Sequence, residues 1–461
     1  MQKKIALGWM LPLALAVAGA LCISFQAAAQ ADPEAMKKLM DRIDQLENRL
    51  SEQEAKNARL EAQIEALTKS AGPQAHVVYP GTVVQVPKIC LPAPAAPAPA
   101  PAQTAKAAWE LYGYAKLDTL WDSNRIYPGD YALWVQPENG AGRHSEFMVT
   151  ANQTRLGLNL KGPSDAAAVT SGKVEVDFYG GGAENKANPM MRQAYLQVDW
   201  PGHDVSLLAG QTSDVISPLT LPTVNYTVGW YAGNIGYRHP QLRLTKGFDV
   251  DGGDRVVLQL AAVRTMGHLV DEKNTGSDSG FPTLQGRAAF SFPVSGGKKA
   301  TFGLSGHYGE EAYAPAVPGR PDVRYESWSA NLDFTVPLGR RFLLTGEGFT
   351  GRDLDAYLGG SSEAVNVHKG TATASAGGWL ALGIGGFEKM SFNLGASVDD
   401  PRNADLSAGV RCRNLSVFGN GAFSITKSAQ FLVELSYWDT QYLSQPKVHA
   451  TRVQMAFQYN F

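Results

Sequence analysis

Seven basic side chains have the chemistry to hold an anion: Lys116, Arg155, Lys161, Arg192, Arg238, Arg243 and Arg287. A guanidinium offers a planar fork of N–H donors that matches a carboxylate bidentately, and several cations along one path attract anions at long range. Acids stand among them, including Glu110, Asp118, Glu175, Asp177, Asp199, Asp333, Glu347 and Glu434. Two outcomes stay open. Either the cations prevail where solutes pass, or the two signs only neutralise each other. Catalytic patterns are poor. The 8 histidines are scattered, and no His-Glu-x-x-His or His/Cys cluster points to a metal. No Gly-x-Ser-x-Gly elbow is present. No enzyme activity, cofactor or metal is expected, and a hydrolase carried on a membrane barrel is the alternative from a different class.

The elements that would position these side chains read as strands. Trp109, Leu111, Gly113, Ala115 and Leu117 share one parity; Glu110, Tyr112, Tyr114, Lys116 and Asp118 share the other. Leu156, Leu158 and Leu160 oppose Arg155, Asn159 and Lys161, and Val174, Val176 and Phe178 oppose Lys173, Glu175 and Asp177. At the end, Val453, Met455, Phe457, Tyr459 and Phe461 oppose Arg452, Gln454, Ala456, Gln458 and Asn460. Period two marks strands with one apolar and one polar face. About sixteen such segments follow Trp109, most near the ~9–11 residues a tilted membrane strand needs.

Short and long connections alternate between the segments. Gly162-Pro163-Ser164-Asp165, Pro201-Gly202-His203 and Ser295-Gly296-Gly297-Lys298 are short; 122–145, 213–236, 352–369 and 399–413 are long. A soluble sandwich has no reason for such regularity, whereas outer-membrane barrels have short periplasmic turns and longer outer loops. The expectation is an all-β, 16-stranded antiparallel transmembrane β-barrel over residues 108–461, with the polar parity, including Lys116, Arg155, Lys161, Arg243 and Arg287, around a wet lumen, and with Arg192 and Arg238 near strand ends beside the connection 213–236. The third long connection, Asp214–Gly236, carries Pro218, Pro222, Asn225, Tyr226, Trp230 and Tyr231. It is expected to fold inward as a constriction. No plug domain precedes the barrel in this reading, so passive diffusion is the economical function. The aromatic ending at Phe461 is expected to be read by the outer-membrane insertion machinery.

The part before the barrel differs in kind. Residues 1–29 read as a signal peptide: Lys3 and Lys4, an apolar core, then Ala27-Ala28-Ala29. Residues 33–68 read as an α-helical coiled coil in the periplasm, with Met36, Ile43, Leu50, Asn57 and Ile64 at a and Leu39, Leu46, Gln53, Leu60 and Leu67 at d. Arg42, Arg49 and Lys56 at g face Glu47, Glu54 and Glu61 at e, which implies a parallel homo-oligomer. Ile or Met at a with Leu at d leans toward two chains. Residues 69–107 form a linker whose Pro-Ala alternation, Leu91 to Pro101, favours a semi-rigid extended spacer.

Composition excludes other classes. Lys plus Arg number 41 against 43 Asp plus Glu, with no basic run, so no nucleic-acid partner is expected. No apolar run after the amino-terminus is long enough for a membrane helix. After the signal only Cys90 and Cys412 remain, too few for a disulfide-built fold. Cys90 falls in the linker and Cys412 in an outer loop, so no bond between them is expected.

Leu111-Tyr112-Gly113-Tyr114-Ala115-Lys116-Leu117-Asp118, Gln153-Thr154-Arg155-Leu156-Gly157, Arg192-Gln193-Ala194-Tyr195, Ala209-Gly210-Gln211-Thr212 and Pro240-Gln241-Leu242-Arg243 resemble the DcaP-like porin family. So does the order of signal, coiled coil, linker and barrel. The resemblance implies a trimeric sixteen-stranded outer-membrane porin favouring small anions, notably dicarboxylates, which moves the chain count to three. It marks Arg155, Arg192 and Arg243 as anion contacts. The chain departs from the pattern after Gln211-Thr212, where Ser213 stands in place of Trp. The phosphate-selective porins are the nearest alternative family.

Overall fold

The computed structural model describes residues 108–138, 142–164, 167–183, 186–264, 276–313, 322–360 and 363–461. The signal peptide, the coiled coil, the linker and Cys90 lie outside the described residues.

Sixteen strands close into an antiparallel barrel. They are β1 (Ala108–Asp122), β2 (in two pieces, Glu146–Thr150 and Arg155–Ser164), β3 (Val169–Asp177), β4 (Met190–Trp200), β5 (Val205–Ser213), β6 (Arg238–Asp249), β7 (Arg255–Val263) and β8 (Thr283–Pro293). The second half comprises β9 (Lys299–Tyr313), β10 (Val323–Leu338), β11 (Phe342–Arg352), β12 (Ala374–Ile384), β13 (Met390–Pro401), β14 (Arg411–Ser424), β15 (Ala429–Tyr442) and β16 (Val448–Asn460). Each pairs with its neighbour in sequence, and β1 closes the ring on β16, from Tyr114 opposite Asn460 to Asp122 opposite Arg452. The two pieces of β2 count as one strand because both pair with β1, one along each half. Closure leaves no edge strand to recruit another chain.

The pleat sorts the side chains. Leu260, Leu304, Leu394, Leu435 and Phe457 are 55–66% exposed on the outer face, while Asp118, Glu175, Asp333, Glu434 and Arg452 are at most 4% exposed on the inner one. That is the reverse of a soluble protein and the pattern of a barrel whose outer surface is apolar. Near the short turns, Phe290, Phe292, Phe302 and Phe334 form one run of neighbouring rings. Phe387, Phe392, Phe423, Phe431 and Phe457 form a second, with centroids 5.1–6.4 Å apart. Such a girdle suits a membrane interface. The turns themselves are tight: between β8 and β9, Gly296 and Gly297 take φ of 81° and 72°, a region other residues reach only with strain. Among the described residues no helix is long and apolar enough to cross a membrane; the helices are single 3-10 turns.

Cys412 corrects an expectation. It lies in β14, at a bulge between Arg411 and Arg413, and is buried. The turn residues that mark this outer connection stop at Gly409, so the strand begins sooner than the spacing implied.

Candidate functional site: a constricted lumen

The connection between β5 and β6 runs inside the barrel. Its neck is clasped first. Asp214 donates its N–H to the Tyr237 carbonyl at 3.0 Å, and its carboxylate accepts the Tyr237 N–H at 2.8 Å. The same carboxylate lies 2.8 Å from His239 Nδ1 and accepts from Gln285 Nε2 at 3.1 Å. Burial opposes its charge, yet the His239 ring and these N–H donors hold the Asp214 carboxyl below its ordinary range.

From the neck the loop crosses to the far wall. The Leu219 N–H donates to Glu347 Oε1 at 2.6 Å, and the Trp379 indole donates to the other oxygen of that carboxylate at 3.0 Å. Leu221 packs on Trp379, Ala381 and Phe418. Asn420 donates to the Pro222 carbonyl at 2.7 Å, and Glu434 receives the Thr223 hydroxyl at 2.7 Å and the Val224 N–H at 2.6 Å. Loop amides without a regular ladder therefore find their partners in wall carboxylates, as buried backbone groups must. On the return, Gly233 has φ +114°, and a Cβ there would lie 2.4 Å from the Gly378 carbonyl oxygen. The chain touches the wall with bare backbone. Ser217, Val228 and Tyr231 also take positive φ, a conformation that packing must enforce, above all for β-branched Val228.

Two further connections enter the lumen, and sequence reasoning missed both. The hairpin of Ile126–Pro128 and Ala132–Val135 packs on Trp438, Tyr442, Val448 and Ala450. Its Ala132 backbone bonds Asn225 and Thr227 of the inward loop. Residues 354–360, after β11, brace the loop from the other side, the Tyr357 and Leu358 carbonyls accepting from Gly236 and Tyr231 at 2.8 and 2.7 Å. The available signal was apolar residues in loops, Leu354, Tyr357 and Leu358 in particular, where an exposed loop has no use for them.

What remains is a cavity of about 300 Å³. One wall is the loop, through Ser217, Thr220, Asn225, Tyr226 and Trp230; the other carries Tyr114, Gln153, Arg155, Arg192 and Arg238. Tyr231 does not line it and packs with Leu133 and Leu358. The cations differ in state. Arg192 is spent on acids, with Nε 2.9 Å from Glu175 and Nη1 2.6 Å from Asp177. The buried Tyr226 hydroxyl, whose pKa burial raises, also donates to Asp177 at 3.0 Å. Arg155 lies 3.8 Å from Glu175, beyond hydrogen-bond reach, and its Nε is buried without a partner. Arg238 is 6% exposed, and its Nε and Nη2 have no hydrogen-bond partner. Its guanidinium lies 5.4 Å from the Trp230 ring and 4.6 Å from the Tyr237 ring. Cation–π contact stabilises the charge without neutralising it.

The other basic candidates are placed elsewhere. Lys116 is buried, 3.0 Å from Asp118 and 2.6 Å from Gln153 Oε1. Arg287 forms a bidentate pair with Asp333 at 2.9 and 2.6 Å. Arg243 donates to Gln241 at 2.9 Å and to the Ser213 carbonyl, outside the cavity lining. Lys161 is exposed at the short-turn end, opposite Ala108 and Ser171. The structure thus gathers Arg155, Arg192 and Arg238, with Asn225, Tyr226 and Trp230, and leaves Lys116, Lys161, Arg243, Arg287 and Tyr231 apart.

No family model and no curated protein matches the chain. Solved structures do. The outer membrane channel DcaP of Acinetobacter baumannii is similar with a TM-score of 0.64 at 17% identity, over 77% of this chain and 98% of that one. An anion-selective porin from Comamonas acidovorans is similar with a TM-score of 0.51 at 11% identity, over 77% of this chain and 100% of that one. The chain thus carries the barrel fold of the DcaP outer-membrane channel.

Proposed function

We propose that this chain is an outer-membrane porin through which small anionic solutes, dicarboxylates in particular, diffuse passively. The observation that carries the reading is Arg238: a buried guanidinium with two unpartnered nitrogens, lining the cavity under the inward loop. Beside it, Arg155 keeps a free Nε, and Arg192 is already matched to acids. A carboxylate arriving at this narrowing meets the positive charge of Arg238, which forms no ion pair among the described residues. A second carboxylate on the same solute has the other arginine to address, so two-headed anions gain over one-headed ones. The fold shared with an anion-selective porin supports the reading.

The apolar outer face contacts lipid, and three barrels associate as a trimer. In this proposal residues 33–68, which lie outside the described residues, form a periplasmic coiled coil. Phe461, whose N–H and C=O bond Gly113 at 3.1 Å, is the mark read by the insertion machinery. The test is succinate block. The purified protein in a planar bilayer should carry chloride current that succinate reduces at lower concentration than acetate does. Equal block by both would set the dicarboxylate reading aside.

A further inference from the structure

Three carboxylates meet behind the inward loop, away from the cavity lined by the arginines. Glu311 lies toward the end of β9; Asp353 and Asp355 follow β11. One oxygen of each lies within 4.8 Å of the others. Glu311, Asp353 and Asp355 are 1%, 0% and 2% exposed.

Acids in a group are not a site by themselves, but the hydrogen bonding here is incomplete. Asp353 Oδ1 accepts from the Tyr313 hydroxyl at 3.1 Å, whereas its Oδ2 is fully buried and has no donor. Thr373, whose carbonyl accepts the Asp353 N–H at 3.2 Å, keeps a buried hydroxyl with no partner. Among the described residues no Lys, Arg or His forms an ion pair with Glu311 or Asp353. Buried charge left this way is costly, and either a proton or a cation must offset it. The spacing admits a cation. Oxygens at 2.3–2.6 Å from a central Ca²⁺ are at most about 4.6–5.2 Å apart, and around Mg²⁺ at most about 4.2 Å. Three oxygens within 4.8 Å of one another already have the span of a calcium shell.

We infer that Glu311, Asp353 and Asp355 bind a calcium ion that ties the segment after β11 to the barrel wall. The consequence reaches the constriction. Residues 355–357 form the 3-10 turn whose Tyr357 carbonyl, with that of Leu358, holds Gly236 and Tyr231 of the inward loop. A cation at its base fixes the brace, so calcium would set how rigidly the pore is narrowed. The site lies outside the anion path and does not depend on anion preference.

The experiment is calorimetric titration of CaCl₂ into the full-length, chelator-treated protein in detergent, with thermal unfolding alongside. The wild type should bind with a Kd of about 0.1–1 mM, and calcium should raise its unfolding temperature. Asp353→Asn and Glu311→Gln should each weaken binding about tenfold or more and lose the thermal shift. If one variant fails to fold, the other carries the comparison. No calcium-dependent heat in the wild type, or unchanged binding in the folded variants, overturns the inference. A wild type that ignores calcium while Asp353→Asn stabilises it would mean that the cluster holds a proton.

Discussion

Arg192 and Arg238 face the same cavity with the same charge, yet removing them should do different things. Arg192 is hydrogen-bonded to two buried acids, Glu175 and Asp177. Arg192→Ala leaves Glu175 to the Tyr112 hydroxyl and the more distant Arg155, and Asp177 to the Tyr226 hydroxyl, with the bridging cation gone, and should lower stability by about 3 kcal/mol, read as earlier heat unfolding in detergent. Arg238 lies over two aromatic rings and keeps its Nε and Nη2 without a hydrogen-bond partner. Arg238→Ala should leave stability nearly intact and weaken succinate block by about 10–100-fold, the worth of a charge-assisted hydrogen bond of ~1.5–3 kcal/mol. The reverse pattern would assign the anion contact to Arg192. Parity made Arg155, Arg243 and Arg287 legible as inward-facing, and position at strand ends beside the long connection 213–236 singled out Arg192 and Arg238. Their ionic state was not legible, because it depends on partners from other strands: Asp333, which takes Arg287, is 46 residues away. The parity of a charge on its strand does not reveal whether an acid already answers it.

At the level of elements, the inward loop holds through its clasped neck, the wall carboxylates and the bare backbone at Gly233. Gly233→Ala puts a methyl into the Gly378 carbonyl at a φ that alanine resists, at a cost of about 1–3 kcal/mol. Single-channel recordings should show larger or noisier conductance; an unchanged trace would mean that the loop seats without this contact. The neck has its own pH dependence. The Asp214 carboxyl is depressed in the folded chain, so its contribution is full above the unfolded value of about 3.9 and is lost as pH falls through the lower folded value. The contribution of the neck should therefore stay constant from neutral pH down to about 4, whereas single-channel recordings of Asp214→Asn should already be noisy at neutral pH. Length, prolines and aromatics made this loop stand out in the sequence. The hairpin at 126–135 and the brace at 354–360 did not, since their lumen contacts join distant segments, as with Val135 and Thr440, 305 residues apart. The Glu311, Asp353 and Asp355 cluster was hidden too, because Glu311 lies in β9 whereas the two aspartates follow β11.

For the whole molecule, the barrel was the most legible feature. Sixteen alternating segments with short and long connections taking turns leave little choice of topology, and β1 meets β16 where the terminal pattern required. Strand ends were less clear, as Cys412 illustrates, because loop and strand share small polar residues at the outer rim. Chain number and selectivity arise only once barrels stand in a membrane with ions on both sides. The central claim is therefore best tested by the reversal potential of the purified wild-type protein in a planar bilayer under a KCl gradient. The arginine-lined narrowing predicts a potential displaced toward the chloride equilibrium value; displacement toward the potassium value, or no channel at all, would contradict it.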